Sequence, residues 1–409
     1  MAARAARGGR CAGGRRALAV LLGPLLLAGC SAVPPGPTPA TSTPAATPPS
    51  GSATPAPATA TPSPSASAAA CTAEARALSL REQVGQLVMI GVTVGLPSSQ
   101  RAAISTHRIG SAIVMGATPG GVEQVSGLTA KLRSLGGKTG FLVASDQEGG
   151  LVQRLKGPGF DAIPSAAQQA RLRDATLTAR AASWGRAMAA AGVLLDLAPV
   201  ADVVPAGNRA ANEPIARLGR GYGSNPAGVS AKVEAFRRGM ARAGVGVAVK
   251  HFPGLGAVRG NTDFATKVKD GTTTADSALL TPFRDAVGHG AEAVMVSSAY
   301  YTRIDAARPA MFSPTVIRIL RGWGFDGVVV SDDLGAAAAL RTVPVGERAV
   351  RFVAAGGDLA LNVDPSTAGA MAEGLYQAAK ADPKLASRVA RSAARVLALK
   401  AALGQFTCG

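Results

Sequence analysis

The sequence predicts a single (β/α)8 barrel, an α/β fold of the TIM type, over residues 71–409. Short apolar runs alternate eight times with longer stretches of helical periodicity in this part of the chain. Apolar runs without polar alternation are typical of strands in a parallel sheet that is buried on both faces. Eight strand–helix units favour a closed barrel over an open, doubly wound sheet.

Each apolar run predicts one strand of the barrel. In chain order the runs are Gln86–Val92, Gly110–Met115, Phe141–Ala144, Val193–Pro199, Gly246–Val249, Ala293–Ser297, Gly327–Val330 and Leu359–Asn362. Stretches rich in Ala, Arg and Leu lie between them and predict helices, among them Ala166–Ala191, Pro226–Ala243 and Thr274–Gly288. The last stretch, Thr367–Leu403, is predicted to be helical and to close the body.

Polar residues follow several of the predicted strands. Ser145–Glu148 follows the third strand, Lys250–His251 the fifth, Ser297–Ser298 the sixth and Ser331–Asp333 the seventh. In a parallel barrel the carboxyl ends of all strands meet on one face, where active sites lie. Carboxylates at the end of a buried strand also need hydrogen-bonding or charged partners. The pattern therefore predicts a pocket for a polyhydroxylated or charged ligand.

Residues 1–29 have the pattern of a signal peptide. Five arginines precede a short apolar segment, Ala17–Leu27, which is too short to remain as a spanning helix. Leu27–Cys30 resembles the lipobox of bacterial lipoproteins, in which the cysteine is lipidated. We therefore expect export and a lipid anchor at Cys30 on the outer face of the cell membrane. An ordinary signal peptide is the alternative.

Residues 30–70 are predicted to be a disordered linker that begins at the lipidated cysteine. Residues 31–70 carry no charge and consist largely of Pro, Thr, Ser and Ala. Such a segment has too little apolar surface to fold and is extended by its prolines. It would hold the folded body away from the membrane.

The chain is strongly basic, with a formal net charge of +18. Export would remove the five leader arginines and leave a net charge of +13. This charge favours contact with an anionic envelope or a charged polymer, and a solvated basic surface explains it equally well. Aromatic residues make up only 4% of the chain, and no nucleic-acid recognition motif is visible. We therefore expect no nucleic-acid partner.

Two cysteines flank the predicted body. Cys71 and Cys408 stand at its two ends, while Cys11 lies in the leader. A closed barrel brings its first and last elements together, and an exported compartment permits disulfides. We predict a Cys71–Cys408 bond, with two free thiols as the alternative. The cysteines and the three scattered histidines show no metal-ligand spacing, so no metal site is expected.

Four sequence blocks carry a family resemblance. They are Asp146–Arg154, Lys250–Gly254, Ser331–Leu334 and, more weakly, Leu218–Pro226. In order and spacing they resemble glycoside hydrolase family 3, specifically its single-domain β-N-acetylglucosaminidases, over nearly all of residues 78–365. The resemblance implies a retaining hydrolase that releases terminal β-linked N-acetylhexosamine from cell-wall-derived glycans, and we expect this sugar to be N-acetylglucosamine. It implies an amino-sugar glycan as partner and no cofactor, and we expect a monomer.

By this resemblance Asp332 is the catalytic nucleophile. A retaining glycosidase needs an ionised carboxylate that forms a glycosyl-enzyme intermediate. Its neighbour Asp333 cannot face the same sugar, because consecutive residues point in different directions. A helix N-cap is the alternative role for Asp332.

Five further residues match the family's subsite residues. They are Asp146, Arg154, Arg220, Lys250 and His251. Charged groups of these types bind sugar hydroxyls through short, directional hydrogen bonds. The alternative for the two arginines is that they are surface cations. The alternative for His251 is that it is a core histidine whose ring nitrogens are hydrogen-bonded within the protein.

The loop after the Lys-His block departs from the family pattern. The family branch carries Asp-Ser-His there, and its His is the general acid/base; this chain has Asn261, Thr262 and Asp263. Leu151 also replaces the usual Arg. Three readings remain open. Asp263 is itself the acid/base, another carboxylate moves into the site and takes that role, or the protein binds glycans without efficient turnover.

Three other functions compete with the hydrolase. An aldolase-type barrel would use Lys250 as a Schiff-base amine, but it leaves Asp332 without a role. A non-enzymatic lipoprotein that binds cell-wall glycan would not need a nucleophile. A dinucleotide site at Gly254–Gly256 is weak, since the third glycine of that motif is absent.

Overall fold

A computed structural model of the protein describes residues 68–408. The predicted signal peptide, the predicted lipidation site Cys30 and the linker up to residue 67 lie outside the described residues. These three assignments stay predictions.

Eight parallel strands form the barrel. They are β1 (Val88–Val92), β2 (Ser111–Val114), β3 (Leu142–Ser145), β4 (Leu195–Asp196), β5 (Gly246–Phe252), β6 (Ala293–Val296), β7 (Val328–Ser331) and β8 (Ala360–Asn362). Their spatial order is β7-β6-β5-β4-β3-β2-β1-β8, and a parallel bridge between Val330 and Leu359 joins the two outer strands. The predicted (β/α)8 barrel is confirmed.

Helices surround the barrel. In the described part of the chain they are α1 (Thr72–Ala77), α2 (Leu80–Gln86), α3 (Ser98–His107), α4 (Gly121–Leu135), α5 (Ala166–Gln169), α6 (Asp174–Ala190), α7 (Pro226–Arg242), α8 (Thr281–Gly288), α9 (Pro314–Gly322), α10 (Val345–Ala355), α11 (Pro365–Ala381) and α12 (Pro383–Ala402). Two small sheets supplement the barrel. One is the hairpin of Gln147–Gly149 and Val152–Gln153, and the other pairs Lys269–Asp270 with Tyr300–Tyr301.

Proline marks the start of several helices. Four helices begin with proline directly after a capping side chain, at Asn225–Pro226, Ser313–Pro314, Asp364–Pro365 and Asp382–Pro383. Proline suits the first helical position because its missing N–H would have no partner there. The prediction that Thr367–Leu403 is helical is confirmed. This stretch forms two helices, α11 and α12, because Pro383 cannot continue the first.

The core has two layers. Alternate strand residues point into the barrel and form an inner cluster, for example Met89, Leu142 and Val330. The remaining strand residues pack outward against the helices. Helix α12 adds Val396 and Leu399 to the inner cluster, so it closes the end of the barrel at which the strands begin.

A disulfide joins the two ends of the body. Cys71 and Cys408 are bonded, with their Cα atoms 5.0 Å apart and 337 residues apart in sequence. The predicted pairing is confirmed. In the chain-entropy model a bond over so long a loop stabilises by restricting the unfolded chain.

Candidate active site

A cavity of about 610 Å³ opens at the carboxyl ends of the strands. Its lining includes all seven polar residues predicted from the sequence: Asp146, Arg154, Arg220, Lys250, His251, Asp263 and Asp332. Met115, Met295 and Leu361 add an apolar wall. The structure therefore brings the predicted residues together, and their individual roles stay predictions.

An ion-pair cluster forms the floor of the cavity. The Lys250 ammonium lies 2.6 Å from Asp146 Oδ1 and 2.8 Å from Glu148 Oε1. Arg220 donates two hydrogen bonds to Glu148, from Nε at 2.9 Å and from Nη2 at 2.7 Å. Two cations thus face two carboxylates, and each partner can be buried because its charge is balanced.

The same cluster sets the protonation states of its members. Burial alone would raise the pKa of Glu148, but Arg220 and Lys250 outweigh burial and hold that pKa well below its usual range. Burial opposes the charge on Lys250, yet Asp146 and Glu148 raise its pKa above the usual value. A lysine that stays protonated has no free lone pair to attack a carbonyl. This argues against the Schiff-base alternative.

His251 is held in one orientation by Asp202. Its Nδ1 lies 2.8 Å from Asp202 Oδ2, and Asp202 Oδ1 accepts from the backbone N–H groups of His251 and Leu255. Arg220 Nη2 lies 3.3 Å from His251 Nε2. Because a guanidinium can only donate, this pattern assigns the ring proton to Nδ1 and leaves Nε2 as the acceptor.

Asp332 and Asp333 differ in what their carboxylates do. Asp333 accepts three backbone N–H bonds, from Gly335, Ala336 and Val363 at 2.8 to 3.0 Å, so it holds the loop after β7. Asp332 accepts from the Asp333 N–H at 2.9 Å and has a long contact of 3.4 Å from Ser298 Oγ. Asp332 therefore keeps acceptor capacity on its cavity side.

The environment of Asp332 disfavours its charged form. Burial raises the pKa of its carboxyl group, and the negative charges of Asp263 and Asp333 act in the same direction. A carboxyl group that faces a cavity with a raised pKa is a typical feature of a functional site.

Asp263 lies near the tip of a loop with a fixed stem. Asn208 and Asn212 donate from their amide groups to the backbone carbonyls of Gly256 and Val258, which ties the stem to the barrel. At the tip, Asp263 is exposed, and its N–H donates to Asn261 Oδ1 at 3.0 Å. The carboxylate of Asp263 is thus free to turn toward the cavity.

Arg154 is the least constrained of the predicted residues. Its Nε is 4.0 Å from Asp146 Oδ2, and its side chain is 44% exposed. It follows the hairpin turn at Gly149 and Gly150, where positive φ angles of 93° and 59° require glycine.

Three acidic residues of the site were not predicted from the sequence. Glu148 lies in the Asp146–Arg154 block but was not expected to bind other site residues. Asp202 follows the fourth predicted strand by three residues, a signal like that of the other strand ends. Asp196 interrupts an apolar strand, and burial raises its pKa to about 8. It lies beneath the cluster, where its Oδ1 accepts from the Gln147 N–H.

Within residues 68–408, no group of three or more His, Cys, Asp and Glu side chains is placed to hold a metal ion. In that same part of the chain, no helix has the length and hydropathy needed to cross a membrane.

The fold and the site agree with comparisons to known proteins. The model of the glycosyl hydrolase family 3 N terminal domain matches residues 79–399. The chain belongs to glycosyl hydrolase family 3. As a family 3 member it is a glycoside hydrolase with a carbohydrate substrate. The aldolase-type alternative is therefore wrong.

Several relatives of this family 3 chain cover most of its length. Beta-hexosaminidase LpqI of Mycobacterium tuberculosis is 32% identical over 335 residues, which is 79% of this chain and 83% of the relative. The crystal structure of beta-N-acetylhexosaminidase from Beutenbergia cavernae is 41% identical with a TM-score of 0.78, covering 79% of this chain and 99% of that one. A family 3 beta-N-acetylglucosaminidase from Paenibacillus is 30% identical with a TM-score of 0.72, covering 80% and 63%.

Proposed function

We propose that this glycoside hydrolase is a retaining β-N-acetylhexosaminidase that removes terminal N-acetylglucosamine from cell-wall-derived glycans. The observation that carries the proposal is that Asp332 and Asp263 line one cavity whose floor is a charge-balanced cluster. The names of the relatives, beta-hexosaminidase and beta-N-acetylhexosaminidase, support the sugar class.

Asp332 is the proposed nucleophile. Its carboxylate faces the cavity with spare acceptor capacity, whereas Asp333 has its oxygens occupied by backbone N–H groups. In the first step an Asp332 oxygen bonds to the anomeric carbon while the bond to the leaving oxygen breaks. In the second step water attacks the anomeric carbon and releases Asp332, which restores the original anomeric configuration.

Asp263 is the proposed general acid/base in place of the family's histidine. It donates its proton to the leaving oxygen in the first step and accepts a proton from water in the second. Its exposed position at the tip of a loop with a fixed stem allows it to approach a bound substrate. Closure over the substrate would also exclude water from the leaving group.

The floor cluster is proposed to bind the sugar. Asp146, Lys250 and Arg220 offer charged acceptors and donors for hydroxyl groups, and charge-assisted hydrogen bonds of this kind are strong and directional. Nε2 of His251 already accepts from Arg220 Nη2 and so helps to hold that guanidinium in place. Arg154 at the rim has the freedom to reach a hydroxyl or an acetamido oxygen. Because the cluster is already neutral overall, a neutral sugar suits it better than an ionic ligand.

The proposed setting is the cell envelope. The leader, the lipobox-like Leu27–Cys30 and the linker support an exported protein that is anchored by lipid at Cys30. The disulfide between Cys71 and Cys408 fits an oxidising compartment.

Hydrolysis of an aryl N-acetyl-β-glucosaminide tests the proposed function. We expect the wild type to hydrolyse this substrate and Asp332→Asn to lose activity by several orders of magnitude. A fluorinated N-acetylglucosaminyl fluoride should label Asp332 covalently. Asp276→Asn is the control, since Asp276 is exposed on another loop. Labelling of Asp333, or normal turnover by Asp332→Asn, would overturn the assignment. Binding of glycans without turnover by the wild type would favour the glycan-binding alternative.

A further inference from the structure

A groove lined by arginines lies away from the catalytic cavity. Helix α9 contributes Arg318 and Arg321, and helix α12 contributes Arg388, Arg391 and Arg395 to a cavity of about 590 Å³. We call this the arginine groove. Asp326 is the acidic residue in its lining, so positive charge dominates.

Two of the five arginines are fixed by ion pairs. Arg321 Nη2 lies 2.5 Å from Asp358 Oδ2, while Arg395 lies 3.5 Å from Asp358 Oδ1 and 3.2 Å from Asp326 Oδ1. Arg321 also donates to the backbone carbonyls of Phe325 and Gly327. These contacts neutralise two charges and form a rigid base for the groove.

The other three arginines are not neutralised. Within residues 68–408, no acidic side chain lies within 4.0 Å of the charged atoms of Arg318, Arg388 or Arg391. Residues 388, 391 and 395 are spaced three and four apart, so they lie on one face of α12 and repel each other. No Asp or Glu occurs between residues 383 and 402 to offset them. Helix stability therefore does not explain the arrangement.

The groove lies at the end of the barrel opposite the catalytic cavity. Phe325 and Asp326 in its lining are separated from the start of β7 by Gly327 alone, and the other end of β7 leads to Asp332. An adjoining cavity shares Asp326 and Arg395 and is also lined by Ala68, the first described residue. Ala68, at which the described body begins, therefore lies beside the arginine groove.

We propose that the arginine groove binds the phosphate groups of anionic phospholipids at the membrane surface. This inference rests on the proposed export and anchoring of the chain, but not on its catalytic chemistry. Guanidinium groups match phosphate oxygens in geometry and charge. A flexible tether sets only the greatest distance between body and membrane, so it permits contact. Because the tether is attached beside the groove, contact through the groove leaves the catalytic cavity facing the cell wall.

Binding to vesicles tests this proposal. Residues 61–409 are used, because the Beutenbergia cavernae relative corresponds almost entirely to this body and because this length lacks the leader. The groove variant carries Arg318→Gln, Arg388→Gln and Arg391→Gln. A control variant carries Arg173→Gln, Arg180→Gln and Arg186→Gln, which removes the same charge from exposed positions at and near α6.

We expect the wild type to sediment with phosphatidylglycerol vesicles and not with phosphatidylcholine vesicles at about 0.1 M salt. The groove variant should bind at least about 30-fold more weakly, since each arginine near an anionic surface contributes severalfold, while the control should change less than about threefold. Arg391→Gln alone, at an exposed position, should weaken binding about fivefold. Hydrolytic activity and thermal midpoint should stay unchanged in all variants.

Three results would overturn the proposal. Equal losses in the groove and control variants would show that only net charge matters. Full binding by the groove variant would place the contact elsewhere. Binding of soluble poly(glycerol phosphate), lost in the groove variant, without binding to vesicles would assign the groove to a wall polymer. Failure of catalysis by the wild type would leave all vesicle results interpretable.

Discussion

Replacing Glu148 with Gln tests the ion-pair cluster most sharply. Glu148 accepts two hydrogen bonds from Arg220 and lies 2.8 Å from the Lys250 ammonium. The side chains of Glu148 and Lys250 are 3% exposed and that of Arg220 is 13% exposed. The change keeps the shape of the side chain but leaves two buried cations with one carboxylate, Asp146.

The expected loss in the free energy of unfolding is large for a single isosteric change. Removing one partner of a buried ion pair destabilises by about 3–5 kcal/mol, because the remaining charge is buried without compensation. The control is Glu347→Gln, which breaks a half-exposed pair with Arg351 one helical turn away and should cost less than about 0.5 kcal/mol. Urea unfolding at neutral pH measures both changes in the free energy of unfolding.

The loss should depend on pH in a defined direction. The pKa of Glu148 is held below its usual range in the folded protein. Its ionised form therefore stabilises the fold above the ordinary glutamate pKa, and this contribution disappears as the pH falls toward the lowered value. The difference between wild type and Glu148→Gln should narrow below about pH 4. Two results would refute the reasoning. One is a loss of unfolding free energy no larger than that of Glu347→Gln, and the other is a stability difference between wild type and Glu148→Gln that widens in acid.

Three further predictions concern other parts of the body. Formation of the glycosyl-enzyme needs ionised Asp332, so this step is lost as the pH falls through that group's raised pKa. Asp263→Asn removes a negative neighbour of Asp332, so the fall of kcat/KM in acid, measured on an activated aryl glycoside, should move to lower pH. Asp196 has a pKa of about 8, so it disfavours the fold increasingly as pH rises from about 4 to 8. Asp196→Asn should be tolerated and should gain stability relative to wild type at pH 9, as urea unfolding would show. Reducing the Cys71–Cys408 bond should lower the free energy of unfolding by at least about 2 kcal/mol, and two thiols that alkylate without reduction would contradict the bond.

Hydrophobic patterning was sufficient to predict the barrel, because parallel strands buried on both faces leave continuous apolar runs. Boundaries were less predictable. The run Val193–Pro199 contains only the short strand Leu195–Asp196, and β5 continues to Phe252, so Lys250 and His251 lie in the strand rather than beyond it. Strand ends depend on pairing with neighbours, which single-sequence patterns do not contain.

The cavity residues were predictable as a set, but their pairing was not. The strand ends placed Asp146, Lys250 and Asp332 on one face. That Glu148 balances both cations, and that Asp202 orients His251, depends on contacts between residues far apart in sequence. The distinction between Asp332 and Asp333 likewise needed the backbone N–H groups of the loop after β7.

The most direct test of the account is azide rescue of Asp263→Ala. Without the acid/base, hydrolysis of an activated aryl N-acetyl-β-glucosaminide should stall at the Asp332 glycosyl-enzyme, because the loop no longer carries a general base to deprotonate water. Azide needs no deprotonation and should restore turnover, and the product should be the β-glycosyl azide, with retained configuration. We expect this product from Asp263→Ala and none of it from Asp332→Asn. Wild-type rates for Asp263→Ala on disaccharides without azide, or an α-glycosyl azide, would contradict it.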